Sequence, residues 1–184
     1  MNPPLDAPPA SALPIRRAAR LADLSRRLTC AVLLLAGTRA LAGTLTLEIG
    51  GSIDHANDPQ QHVYRFDEAE LLALPPQTIT TSTNWTPRKT WRGARLEDVL
   101  ARAGAHGSAI KVYAYDDYRE EIPMALIQRY HPILAYSGDG KRLDLTNFGP
   151  LFIVFPRDQY PGELSGVTSQ RRFVFHVRRI DVKP

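Results

Sequence analysis

From Leu45 onward the chain alternates apolar and polar positions in short runs. Leu45, Leu47 and Ile49 are separated by polar or small residues, which predicts a half-buried strand that Gly50-Gly51 ends. Asp67 followed by Glu70 makes a capping box ahead of Leu71 and Leu72, so a short helix starts there and stops at Pro75-Pro76. Gln77 to Thr83 is rich in β-branched residues and predicts a strand. Arg92-Gly93-Ala94 leads into a helix whose stripe is Leu96, Val99, Leu100 and Ala103, with Gly104 as its stop.

The second half keeps the same rhythm. Ile110, Val112 and Ala114 predict a strand, Asp116-Asp117 a turn, and Arg119 to Ile122 a returning strand. Pro123 suits the first turn of a short helix running to Tyr130. Gly138-Asp139-Gly140 is a hairpin turn between Pro132–Tyr136 and Arg142–Leu145. Leu151 to Phe155 is apolar throughout and predicts a central strand buried on both faces. The last apolar run changes phase: Phe173, Phe175 and Val177 share one face, while Ile180 and Val182 fall on the other. A strand that changes phase needs an extra residue, so a β-bulge is predicted near Arg178-Arg179. On this phase His176 lies on the last strand and faces solvent.

Residues 1–42 stand outside this pattern. Arg16, Arg17, Arg20, Arg26 and Arg27 form a basic region, Ala31–Gly37 is a short apolar run, and Ala40-Leu41-Ala42 offers a small-x-small cleavage site. The apolar run is far shorter than the roughly 20 residues a spanning helix needs, so a cleavable signal rather than an anchor is expected. Ser25-Arg26-Arg27 is a partial twin-arginine motif, with Thr29 and Cys30 where that motif prefers Phe and Leu. The general secretory and the twin-arginine routes both stay open. The expected destination is the periplasm of a bacterium.

Removing the signal changes the charge and the chemistry. The whole chain holds 23 Lys+Arg against 19 Asp+Glu, but the first 42 residues hold six Arg and two Asp, leaving 17 of each sign. The basic balance belongs to the signal and is no reason to expect a nucleic-acid partner. The only cysteine, Cys30, leaves with it. The mature domain is then without disulfide, thiolate metal site or cysteine nucleophile.

Several segments occur in an order that resembles a known family. Thr90-Trp91-Arg92-Gly93-Ala94-Arg95-Leu96-Glu97-Asp98-Val99-Leu100 is followed by Ala103-Gly104-Ala105, then by Ala114–Tyr118 (AYDDY) and Ile122-Pro123. Ile133-Leu134-Ala135-Tyr136, Asp139-Gly140-Lys141 with Leu143, Gly149-Pro150-Leu151 and Val154-Phe155-Pro156 complete the series. Over about residues 66 to 182 the chain resembles the sulfite-oxidase-type oxidoreductase molybdopterin-binding domain, and most closely its small stand-alone exported members. The resemblance implies a mixed α/β fold, β-rich and of α+β type. With the signal read above, the chain divides into a signal (1–42), an N-terminal strand and loop (43–65) and a molybdopterin-binding-like domain (66–184).

The resemblance also marks departures. Redox members bind molybdenum through a pterin dithiolene, and one cysteine completes the coordination; by the resemblance that cysteine would fall at about Thr83, within a residue. Ser82, Thr83 and Asn84 offer no thiolate, the soft ligand such a centre uses, and a hydroxyl ligand from Ser82 or Thr83 is the alternative. The arginine that catalytic members carry after Gly-Pro-Leu is here Phe152, and the glycine expected between acid and aromatic in the Asp-Gly-Tyr motif is Asp117. A carboxylate there would repel an anionic cofactor.

Thr83, Asn84, Trp85, Asp116 and Tyr118 are the candidate ligand- or cofactor-binding residues. By the resemblance, Thr83–Thr86 would line the pterin pocket of relatives, with Trp85 stacking on a flat ligand; alternatively Trp85 covers the core and Asn84 caps a turn. Asn84-Trp85-Thr86 is also a glycosylation sequon. Asp116 and Asp117 could share acid–base work, though turn chemistry accounts for them equally well. His55 and His62 with Asp54 and Asp58 match no metal-ligand spacing, and Arg171-Arg172 and Arg178-Arg179 suit a solvated strand face or an anionic partner. No catalytic residue, metal ligand or resident cofactor is expected. The leading expectation is an exported ligand-binding or accessory module, not membrane-embedded after cleavage, whose partner is a small molecule or an exported or membrane protein. The alternative is a molybdopterin-binding oxidoreductase or a subunit of one.

Overall fold

The alternating runs that open and close the domain come to lie side by side. The structure, a computed structural model, describes residues 45–184; the signal-sequence expectation lies outside them. In chain order the elements are β1 (Leu47–Gly51), β2 (Tyr64–Phe66), α1 (Glu68–Ala73), β3 (Pro76–Thr81), β4 (Lys89–Arg95), α2 (Leu96–Arg102), β5 (Ala109–Ala114), β6 (Arg119–Pro123), α3 (Met124–Tyr130), β7 (Ile133–Gly138), β8 (Lys141–Arg142), β9 (Phe152–Val154), a 3-10 turn (Arg157–Gln159), α4 (Pro161–Leu164), α5 (Val167–Gln170) and β10 (Val177–Lys183).

Two sheets result. The first has the order β2-β1-β10-β5-β6, with β1 parallel to β10 and every other pair antiparallel. The second has the order β3-β4-β7, and the far edge of β7 is shared by β8 at Ser137–Gly138 and β9 at Ile133–Ala135. Ile49, Val112 and Ile180 from the first sheet and Trp91, Leu134 and Phe152 from the second belong to one buried cluster, joined by Leu96 and Val99 of α2. Removing this apolar area from water is the main force holding the two sheets together.

Several local expectations are met for the physical reasons that suggested them. The Asp67 carboxylate accepts the Glu70 N–H at 2.8 Å while the Glu70 carboxylate accepts the Asp67 N–H, closing the capping box of α1. Val177 pairs with Ala114 but Arg179 with Tyr113, so Arg178 is the extra residue of the bulge, and Val177, Ile180 and Val182 are all buried. Strand β9 is buried at all three positions, as expected, but it spans only Phe152–Val154 and, among the described strands, pairs with β7 alone, so it is an edge strand and not a central one.

Other segments differ. Arg92-Gly93-Ala94, read only as the approach to the helix, does lead into it, but as part of strand β4 between β3 and β7. Its period is hidden by a register shift between Arg92 and Gly93 and by small inward residues. A Cβ at Gly93 would sit 2.1 Å from the Leu134 carbonyl oxygen, so only glycine lets the two strands approach here. Strand β3 stops at Thr81 rather than Thr83, and the run Arg142–Leu145 contributes only Arg142 to β8. His176 is not on the last strand. It precedes β10 in the left-handed region (φ 56°), and its Nε2 lies 2.7 Å from the Asn147 carbonyl oxygen.

Candidate functional site

The chain leaves β3 through a loop fixed by polar contacts on both sides. The Thr81 hydroxyl accepts the Asp158 N–H at 3.0 Å, and the Asp158 carboxylate accepts the Ser82 hydroxyl at 2.6 Å and the Ser82 N–H at 3.1 Å. These bonds, the Ser82 hydroxyl first, hold the Asp158 carboxyl below the usual carboxylate range. Thr83, 6% exposed, closes the next turn. Its Oγ1 accepts the N–H groups of Trp85 (3.2 Å) and Thr86 (3.1 Å) and lies 3.0 Å from Thr86 Oγ1. That hydroxyl is the organiser of the loop. Asn84 at the tip accepts a bond from Arg157 Nη1 at 3.2 Å. Trp85, 49% exposed, leans edge-on against Phe175 with ring centroids 5.3 Å apart.

The turn between β5 and β6 faces this loop. The Asp116 carboxylate accepts the Tyr118 N–H at 3.2 Å, an Asx-type contact that fixes the turn. Asp117 takes the left-handed conformation (φ 64°), which explains why glycine is expected there by the resemblance. Its carboxylate points outward and reaches Arg178 Nη2 at 3.6 Å. The Tyr118 phenol is pushed up chiefly by burial.

The third wall comes from 167–175, where the sequence marks only the basic pair Arg171-Arg172 and, as part of the last strand, Phe173 and Phe175. Among the described residues, Asn84, Trp85, Asp116 and Tyr118 line one cavity of about 290 Å³, closed on the far side by Val167, Arg171, Phe173 and Phe175. Four of the five candidate residues thus share a cavity, and Thr83 stands behind it holding the loop. A wider cleft of about 680 Å³ lies beside β1 and β10, but its arginines face carboxylates: Arg65 meets Glu48 and Asp58, Arg179 meets Glu48 and Asp181. The other candidates stay apart. His55 Nδ1 contacts the Arg102 carbonyl oxygen, and no group of three metal-ligating side chains occurs among the described residues.

Phe152 is wholly buried. It stacks on Phe148 (5.3 Å, 20° between planes) and meets Trp91 edge-on at 5.1 Å. The Trp91 indole N–H donates to the Thr81 carbonyl oxygen at 3.3 Å, coupling this aromatic group to the end of β3. The position where an arginine is expected by the resemblance is therefore part of the hydrophobic floor.

No helix among the described residues is long and apolar enough to cross a membrane. Among curated proteins none matches this chain. The fold is similar to that of the sulfane dehydrogenase SoxCD from Paracoccus pantotrophus, with a TM-score of 0.58 at 17% identity. That alignment covers 75% of this chain but only 38% of the SoxCD chain. The mixed first sheet, the antiparallel second sheet and their few helices agree with the sulfite-oxidase-type fold. Residues 64–160, more than half of the chain, match the model of the oxidoreductase molybdopterin binding domain, and the chain belongs to that family.

Proposed function

We propose that this domain works outside the cytoplasm as a ligand-binding or accessory module, without molybdenum catalysis of its own. The chemistry of the residues around Thr83 supports the reading. The described residues contain no cysteine, since Cys30 lies before them. The nearest hydroxyls are committed: Thr83 Oγ1 to its own turn and Ser82 Oγ to Asp158. Phe152 has no group with which to hold an anion and is sealed in the core. The side chains present therefore do not fit the metal or the anionic groups of the cofactor. What they do offer is a mainly apolar cavity with a few polar side chains in its lining, the usual construction of a small-molecule site.

Loss of ligand binding in Trp85→Ala, with the far-ultraviolet circular dichroism unchanged, is the expected result; unchanged binding would remove the cavity from the account. Family membership carries a second reading, in which the domain keeps the pterin and serves an oxidoreductase, alone or with another subunit. Pterin fluorescence after oxidation of protein purified from its native host separates the two. About one pterin per chain would favour the second reading, and none is expected under the first.

A further inference from the structure

The charges around this cavity are not balanced in the way an anion site requires. Of its lining side chains, Arg171 carries the positive charge, and its Nη2 is paired with Glu120 Oε2 at 3.2 Å. Glu120 is largely withdrawn from solvent and its carboxylate also meets the Tyr118 hydroxyl at 3.3 Å, so the pair is held in place. The Asp116 carboxylate accepts the Tyr118 N–H but has no cationic partner among the described residues. The lining therefore presents one compensated cation and one uncompensated carboxylate. Among the described residues the Arg157 guanidinium reaches the side chain of Asn84 and the Ser165 hydroxyl, and it does not line the cavity.

The walls add a second preference. Trp85 and Phe175 meet edge to face, and Tyr118 lies with them on the same cavity. Aromatic faces attract cations through their quadrupole, and more so where water is excluded. The volume, about 290 Å³, lies at the bottom of the range of roughly 300–1,000 Å³ for small-molecule pockets. One or two rings, or a compact alkyl group, is the size that suits it.

We propose that the cavity selects small organic cations, an apolar or aromatic body seated against Trp85 and Phe175 with its positive group toward Asp116. The proposal rests on the ligand-binding reading above and gives that site a charge preference opposite to the one an anionic cofactor needs.

The test uses three probes that share a phenyl ring: phenyltrimethylammonium, benzyl alcohol and benzenesulfonate. Their affinities are read from the indole N–H resonance of Trp85, assigned against Trp91 by the Trp85→Phe variant. The cation is expected to bind at least about tenfold more tightly than the anion, the effect of one close charge in a partly screened site. Asp116→Asn is expected to shrink that ratio to about twofold or less, with its thermal midpoint close to that of the parent. Equal affinity for the three probes, or an unchanged ratio in Asp116→Asn, would overturn the charge preference while leaving the cavity as a ligand site. Tighter binding of benzenesulfonate would overturn the preference too. No response of Trp85 to any probe would remove the ligand-binding reading itself.

Discussion

The Tyr118 hydroxyl stands 3.1 Å from the backbone carbonyl oxygen of Arg171, joining the β5–β6 turn to the segment that closes the cavity. Its single proton is shared with Glu120, 3.3 Å away, which in turn pairs with the Arg171 side chain. One phenol thus ties two walls of the cavity that are 53 residues apart in sequence. Tyr118→Phe removes the hydroxyl and keeps the ring. A loss of about 1 kcal/mol of stability is expected, the usual size of one net hydrogen bond, measured as a lower urea midpoint.

The same residue gives an alkaline signature. Burial first, then the Glu120 carboxylate, raise the phenol of Tyr118 above its ordinary value. A group raised in the folded state contributes stability below its unfolded value and loses it as the pH climbs through the folded value. Stability should therefore fall as pH rises above about 10, the ordinary value for tyrosine. Tyr113, raised by burial, and Tyr130, raised by its bond to Glu163, add to this fall. In Tyr118→Phe the fall should be shallower but not abolished. Equal slopes in parent and variant, from urea melts between pH 8 and pH 11, would refute the assignment to Tyr118.

Asp117 tests the backbone. Its φ of 64° suits glycine, and its ion pair with Arg178 is long and exposed. Asp117→Gly is expected to stabilise the fold by a few tenths to about 1 kcal/mol, because relief of the left-handed strain outweighs a surface pair. Asp117→Ala should destabilise it, since alanine keeps the strain and loses the pair. Both are read from denaturation midpoints, and the opposite order would show that the carboxylate matters more than the conformation.

How far the sequence reaches is clear from these same positions. Periodicity locates β1, α2, β5 and β10, because each buries a regular face, and the phase change near Arg178 foretells the bulge. The capping box of Asp67 and Glu70 is legible because it is local chemistry. Strand β4 is not, since its inward positions after Trp91 are Gly93 and Ala94, which carry little hydrophobic signal. Four of the five residues singled out share a cavity because they follow strand ends on facing loops. Val167 escapes notice because α5 is too short to show a period, Phe173 and Phe175 imitate a strand, and Arg171 is legible only as a basic pair with Arg172. Their role comes from tertiary contact alone.

Phe152 tests the departure from the family at its most buried point. Phe152→Ala is expected to cost about 3–5 kcal/mol, as for other buried phenylalanines. Phe152→Arg should be worse, because it places an unpaired charge among Trp91, Phe148 and Phe173. Introducing the arginine that the resemblance implies is thus expected to unfold the domain or prevent soluble expression. A folded Phe152→Arg protein with a near-native thermal midpoint would mean that this position can open to the cavity.

Asp158 governs the acid limb. Its carboxyl is depressed by the Ser82 hydroxyl first, then by the Ser82 N–H, the Thr81 hydroxyl and Arg88, against a smaller opposing effect of burial than the leading bond. A depressed carboxyl contributes stability above its unfolded value, about 3.9, and loses it as the pH falls through the folded value. The loop bearing Thr83 and Trp85 should therefore loosen below about pH 4, before the buried core gives way. Trp85, half-exposed and beside Phe175, reports this by fluorescence, whereas Trp91 is buried and reports the core. In Asp158→Asn the Trp85 signal should already be altered at neutral pH and its acid transition should be blunted, because an amide accepts more weakly from the Ser82 hydroxyl and N–H. A single transition shared by both tryptophans, in parent and variant alike, would show that the loop and the core unfold together and that Asp158 does not set the loop's acid limit.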